Sequence, residues 1–314
     1  MISNEFEQLL SIYEKAGGNK DAFSDKGIAN LLIHGDKVLN VNDVEGVILK
    51  SEQKKDGVIA HLSVGKDVRV KNPIHLCFGI LSREGRQEIG VNIFIEDGAE
   101  AEVLAHCVFP NAVKVLHKMD ANIKIGNDAK FRYQERHYHG EFGGIKVIPN
   151  AKVSVGKESI YENIFSLLKG KVGFLDFNYE VNCSGRSITN MIAKIYGKGE
   201  DEIRIKEKVN LNGEGARSLI KTRVVLKDKA RAEVIGETYG NAPYARGHVD
   251  CVEILNGKEA LAKAIPIVSV KDEKAKVTHE AAIGSVDKKQ METLMARGLE
   301  EEEAIDTIVK GILR

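Results

Sequence analysis

The 314-residue sequence predicts a mainly β protein, a β-solenoid with short helical regions at its two ends. Three observations carry that expectation. From about Val38 to Val277, short alternating runs such as Val91 to Ile95 and Ala121 to Ile125 are separated by clusters of Gly, Asn and Asp, the texture of many short strands. Within that stretch a unit recurs: NIFIEDGAEAEV (92–103), NIKIGNDAKFRY (122–133), GIKVIPNAKVSV (144–155), RVVLKDKARAEV (223–234) and PIVSVKDEKAKV (266–277). Each copy has an apolar-x-apolar run, a polar turn, an Ala (99, 129, 151, 230 or 275) and a second alternating run, as stacked coils require. The third observation is that helical periodicity is confined to the two ends. A β-sandwich with similar hairpin turns is the competing fold, but it gives no reason for the recurring Ala.

The elements follow in order. Residues 1 to about 35 read as helical, since Phe6, Leu9, Leu10 and Tyr13 recur at three- and four-residue spacing before Gly17-Gly18 breaks the pattern. The division expected is a helical segment over 1–37, a solenoid core over 38–277 and a helical region over 278–314. Alternate strand residues share a face, so counting in twos from the Ala puts Val103, Tyr133, Val155 and Val234 inward. The same count puts Cys107 inward with His137 as its counterpart in the next copy, and His279 inward with Glu280 on the opposite face. In the tail, Lys288 to Ala296 places Met291, Leu294 and Met295 on one side of a helix, with Gly298 as its C-cap. A second helix from about Glu300 aligns Ala304, Ile305, Ile308, Val309 and Ile312, and its acidic first turn suits the helix dipole. That stripe either caps the open end of the solenoid or docks a partner, and spacing favours capping.

Composition narrows the function. Forty-six basic residues balance forty-six acidic ones, which gives no field to recruit nucleic acid or an anionic membrane. The apolar runs are too short to span a bilayer, and MISNEFEQLL lacks the layout of a signal peptide. Four widely spaced cysteines, Cys77, Cys107, Cys183 and Cys251, read as free thiols in a reducing cytoplasm. There is no phosphate-binding Gly-rich loop with Lys-Ser/Thr, no Gly-x-Ser-x-Gly elbow, no His-Glu-x-x-His and no Cys-x-x-Cys. No nucleotide is therefore expected in this chain. With no Trp and 6% aromatic residues, a β-helix enzyme acting on carbohydrate is disfavoured. What remains is metal and sulfur chemistry. RHYHGE (136–141) sets His137 and His139 on one strand face, either as a chelating pair or as an ordinary core pair. Cys251 and His279 lie 28 residues apart, near one coil, and with Glu280 they make a mixed donor set suited to iron or zinc. Buried and inert cysteines in a structural adaptor are the plain alternative.

ARGHVDCVEI (245–254), HEAAIG (279–284) and ARGLEEEEAIDTIVKGIL (296–313), in that order and spacing, resemble the C-terminal half of the SufB/SufD family. Members of that family are scaffold components of the SUF iron–sulfur cluster assembly machine, and the resemblance covers residues 40 to 314. It implies a right-handed parallel β-helix core. Cys251 resembles the cysteine that receives sulfur and holds the nascent, transient cluster. Glu280 and His279 resemble the neighbouring ligand and interface residues. GAEAEVLAHCVFPN (98–111) resembles the segment through which sulfur enters, so Cys107 is the first acceptor. The resemblance further implies a scaffold rather than an enzyme, and a dimer with itself or a SufB/SufD paralogue. A sulfur donor and a SufC-like ABC-type ATPase docked on the C-terminal helices complete the implied set of partners. The N-terminal helical segment is shorter than is typical of SufB and carries no cysteine motif.

Overall fold

The computed structural model describes residues 4–55 and 57–313. The chain begins with α1 (Asn4–Lys15) and a 3-10 turn (Lys20–Phe23). Strands then follow one another: β1 (Asn30–His34), β2 (Lys37–Asn42), β3 (Val47–Lys54), β4 (Gly57–Val64), β5 (Ile74–Gly79), β6 (Glu84–Ile95), β7 (Glu100–Phe109), β8 (Lys114–Ile125), β9 (Lys130–His139) and β10 (Ile145–Val155). The succession continues with β11 (Ile160–Lys169), β12 (Phe174–Cys183), β13 (Ile188–Gly197), β14 (Glu202–Leu211), β15 (Arg217–Lys227), β16 (Arg231–Gly240), β17 (Arg246–Asn256), β18 (Leu261–Val270) and β19 (Lys276–Ser285). Two helices close the described chain, α2 (Lys288–Met295) and α3 (Glu301–Ile312).

The strands alternate between two sheets. One runs β19-β17-β15-β13-β11-β9-β7-β5-β1-β2 and the other β18-β16-β14-β12-β10-β8-β6-β4-β3. Consecutive strands within a sheet are one coil apart and parallel, so Glu84 pairs with Lys114 and Val115 with Ile145, thirty residues on, while Phe174 pairs with Glu202. The result is a parallel β-solenoid of about 8 turns, as the repeat predicts. Only the outermost strands at the N-terminal end are reversed: β2 lies antiparallel on β1 and β3 antiparallel on β4.

The alternation in sequence becomes columns of side chains in the lumen. One column stacks Val103, Tyr133, Asn163, Met191, Ile220, Val249 and His279 on successive strands. The next stacks Ala105, Glu135, Phe165, Ala193, Thr222, Cys251 and Ala281. The expected inward residues Val103, Tyr133, Val155 and Val234 are all buried.

One correction concerns the repeat unit itself. Ala99, Ala129 and Ala275 occupy one corner, which Ala216 and Ala245 also use, but Ala230 sits at the opposite corner and Ala151 lies mid-strand over Ala121. Alanines sit beside turns at both corners, so the same letter recurs at structurally different places. At the first corner Asp67, Gly98, Asp128, Glu158, Arg186, Gly215 and Tyr244 successively adopt positive φ, and this left-handed residue makes the sharp change of direction.

The ends also differ from expectation. Residues 1–3 of the expected N-terminal helix lie outside the described residues, and helix is found only over Asn4–Lys15; Asn30–His34 is already a strand. Leu9, Leu10, Tyr13 and Phe23 pack on Leu32, Cys77 and Val108, which point outward from the ten-stranded sheet. At the other end the strand β19 runs through His279 and Glu280 to Ser285, and Arg314 of the expected tail lies outside the described residues.

Both tail helices form. Glu300 and Glu303 make a reciprocal capping box at the start of α3. The stripe does not cap the solenoid, however. Ile305, Val309, Ile312 and Leu313 pack on Leu168, Tyr196, Val225 and Ile254 along the outer flank of the ten-stranded sheet. That flank offers a row of apolar outward residues, one per coil, which the alternation pattern conceals. The last coil is therefore uncovered, and Leu261, Ile267, Val268, Val270 and Ile283 are exposed there. Among the described residues, no helix is long and apolar enough to cross a membrane.

Candidate functional site

Two groups of chemically active residues lie in the lumen, several coils apart. The first surrounds Cys107. This residue is fully buried on β7 and pairs in register with His137 of β9, as the parity count predicts. Glu135, His137 and His139 follow on the same inward face of β9. His137 Nε2 lies 2.7 Å from Glu135 Oε1, and Tyr179 donates its hydroxyl proton across the lumen to Glu135 Oε2 at 2.7 Å. His137 Nδ1 is 3.3 Å from His139 Nε2, and His139 Nδ1 is 3.0 Å from the Lys171 carbonyl. Cys107 Sγ, a Glu135 oxygen and a His137 nitrogen all fall within 4.8 Å of one another. Burial dictates the protonation of this group: His137 and His139 are pushed down to about 3 and stay neutral, Glu135 is pushed up to about 7, and the Cys107 thiol is held well above its usual range.

The second group lies one coil from the bare end. Cys251 on β17 is 1% exposed, facing Gly236 of β16. A methyl group on Gly236 would stand 3.7 Å from Cys251 Sγ and 2.7 Å from Val249 Cγ1, so the glycine keeps the space over the thiol free. Thr222, beneath Cys251 in its column, donates its hydroxyl to Glu207 Oε2 at 2.7 Å across the lumen. Glu253 is buried on the same face of β17. Burial raises Glu207 and Glu253 to about 7.

Arg246 and His248 do not lower the pKa of Cys251; burial first, then the carboxylates of Glu207 and Glu253, push it up to about 12. Arg246 instead donates to the carbonyls of Ala245 and Lys274, and His248 pairs with Thr278 on the outer face.

The structure separates the remaining expected ligands. His279 pairs in register with Val249, which puts it on the Cys251 face, one coil nearer the end and exposed. Glu280 pairs with Asp250 on the outer face, where Asp250 is ion-paired to Arg223. Among the described residues the one close trio of metal-type donors is Cys107, Glu135 and His137; Cys251, His279 and Glu280 do not form such a trio within a single chain. Cys107 and Cys251 are five coils apart, about 24 Å at the usual strand spacing, too far for direct thiol exchange.

Sequence reasoning passed over Glu135, Glu207 and Glu253. Their signal was present: each is a carboxylate on the inward parity of its strand, in KFRYQERHYH, EIRIKEKVNL and RGHVDCVEILN, where a hydrophobe belongs.

The protein is thus a parallel β-solenoid that aims thiols, imidazoles and carboxyls into its lumen. The family profile described as "SUF system FeS cluster assembly, SufBD core domain" matches residues 82–312. The chain is 42% identical over 283 residues to an iron-sulfur cluster assembly SufBD family protein of Methanocaldococcus jannaschii, covering 90% of this chain and 89% of that one. It is 36% identical over 309 residues to a SufBD family protein of Pyrococcus horikoshii, covering 98% and 94%. A second P. horikoshii relative is 30% identical over 254 residues, 80% of this chain but 56% of that longer protein. The chain belongs to the SufBD family.

Proposed function

We propose that this chain is a scaffold subunit on which an iron–sulfur cluster is built, and that the cluster forms where two subunits meet at the bare end of the solenoid. The observation that carries this reading is the placement of Cys251: one coil below an uncovered apolar end, under Gly236, with His279 exposed on the same lumen face of the final strand. One chain supplies too few donors there. A two-fold contact doubles the set and brings the outward Glu280 of each copy to the rim of the interface. The exposed Ile267, Val268, Val270 and Ile283 supply the apolar surface for such a contact. The partner copy is this chain or a paralogue.

Sulfur enters at Cys107 in this reading, delivered by a donor protein. Because Cys107 is sealed and five coils from Cys251, its acceptance of sulfur requires the neighbouring corner to open. At this separation no direct thiol-to-thiol hand-over links Cys107 to Cys251. The energy comes from a partner ATPase in this reading, in keeping with the lack of a phosphate-binding Gly-rich loop motif in this sequence. With the α3 stripe occupied on the flank, the free docking surface is α2, whose Met291, Leu294 and Met295 remain partly or largely exposed, together with the elbow at Gly298.

The test is reconstitution with ferrous iron and sulfide under anaerobic conditions. Sulfide-to-iron absorption is expected in the wild-type protein and is expected to disappear in Cys251→Ser, with Glu280→Ala weakening it. Unchanged absorption in both variants would sink the assignment. One observation favours the adaptor alternative: all four cysteines are buried. An adaptor predicts no cluster in either protein and no loss of cellular Fe–S enzyme activity in Cys251→Ser.

A further inference from the structure

If every contact around Glu135 is a hydrogen bond, their direction can be read from one end. A carbonyl only accepts, so His139 donates Nδ1–H to Lys171 O and its Nε2 is bare. That bare nitrogen accepts from His137 Nδ1–H, which leaves His137 Nε2 bare in turn. The bare nitrogen faces Glu135 Oε1 at 2.7 Å, acceptor against acceptor, while Tyr179 already donates to Oε2. Something positive has to lie between His137 and Glu135: a proton, on the carboxyl or on the ring, or a cation. The same logic applies beside it. Gln87 places its NH2 on the carbonyls of Gly35 and Gly79, so its Oε1 accepts from His117 Nδ1–H at 3.0 Å. His117 Nε2 is thus a second bare lone pair, buried and without a partner, on a ring 6.1 Å from that of His137.

We propose that Cys107, Glu135 and His137 form a binding site for one divalent transition-metal ion of the Fe2+ or Zn2+ type inside the solenoid, with the bare Nε2 of His117 alongside. The site is separate from the assembly site at Cys251 and does not depend on that reading. The donors are one thiol, one carboxyl and one imidazole, the mixture that borderline-soft metals take. Their mutual distances are all within 4.8 Å, so a small inward shift reaches the roughly 3.4–3.7 Å between ligands of a tetrahedral zinc-type centre. Charge argues the same way. Thiolate plus carboxylate is a charge of minus two, so a divalent ion leaves the buried site neutral, whereas either anion alone would be uncompensated. Binding replaces two protons, one from Cys107 and one from Glu135; no electron moves. The hydrogen bonds from His137 to His139 and on to Lys171 O hold the ligand ring in the tautomer a metal needs.

The experiment uses full-length Cys251→Ser protein, which removes the thiol at the other site, and Co2+ as the probe. Cobalt is supplied by titration of the native protein and, separately, during refolding, because the site is sealed. One Co2+ per chain is expected by at least one route, with a near-ultraviolet thiolate-to-cobalt band, tetrahedral visible bands and two protons released per ion in weak buffer. Adding Cys107→Ser should abolish the thiolate band, and adding Glu135→Gln should weaken binding at least tenfold and release one proton fewer. No bound cobalt by either route, or a thiolate band that survives Cys107→Ser, overturns the proposal. If Cys107→Ser does not fold, Glu135→Gln decides alone, since Gln keeps the shape and both hydrogen bonds; undiminished affinity in that variant overturns it as well. Elemental analysis of protein purified without added metal then distinguishes iron from zinc as the native occupant.

Discussion

Tyr179 and Glu135 come from opposite sheets and meet in the middle of the lumen, hydroxyl to carboxyl at 2.7 Å. Burial raises Glu135 to about 7 against the downward pull of the Tyr179 hydroxyl, and this shift makes stability depend on pH. The folded carboxyl binds its proton more tightly than the unfolded one, so its contribution is complete below about pH 4.5 and is lost as pH rises toward 7. Glu135→Gln mimics the protonated form permanently. In metal-free protein, the variant should therefore gain on wild type between pH 4.5 and 7, by an amount on the order of 3 kcal/mol, with no further change above. Chemical denaturation of both proteins across that range measures it; parallel pH profiles would contradict it.

The buried histidines give the opposite slope. His106, His137 and His139 are lowered to about 3, and His117 is lowered as well, so each is neutral when folded and charged when unfolded below about pH 6.5. Stability should fall steeply from pH 4.5 to pH 3, where the carboxyls no longer offset them. His117→Gln should flatten that acid limb, as followed by circular dichroism.

Gly236→Ala tests the space above Cys251. The new methyl meets Val249 Cγ1 at 2.7 Å, so overpacking should destabilise the protein by about 1–3 kcal/mol. If that space serves the cluster, the iron–sulfide absorption should drop further than stability alone explains, measured at a temperature where the variant is fully folded.

Val309→Asp tests the flank contact of α3. Val309 is 2% exposed against Val225, so a carboxylate there should detach the helix. Limited proteolysis should then cut near Gly298 while the thermal transition of the β core stays within a few degrees of wild type. A core that unfolds together with the tail would show the helix to be integral to the solenoid.

The solenoid was legible because a closed lumen imposes strict alternation, and alternation is what a sequence displays most openly. The parity count placed His279 on the inner face and Glu280 on the outer face, and the register agrees. The corners were less legible, since Ala151 and Ala230 imitate the Ala99 position from other places in the coil. The Cys107 group was half visible: His137 stood out, whereas Glu135 was lost among the many surface carboxylates of a highly charged chain. The cross-lumen partners Tyr179, Glu207 and Gly236 come from strands of the other sheet, and no local pattern predicts which side chains meet across a cavity. The flank for α3 was hidden for the same reason, because it takes one residue from each of four coils.

The reversed strands β2 and β3 at the N-terminal end have a further effect. A stack with parallel edges at both ends is a template for endless growth, each molecule seating the next into a filament. Here the N-terminal edge runs the wrong way for that parallel stacking and is fringed with Lys50 and Lys54, while the C-terminal edge keeps the parallel direction. The two ends of the coil stack therefore differ, and head-to-tail continuation of the parallel ladder is disfavoured.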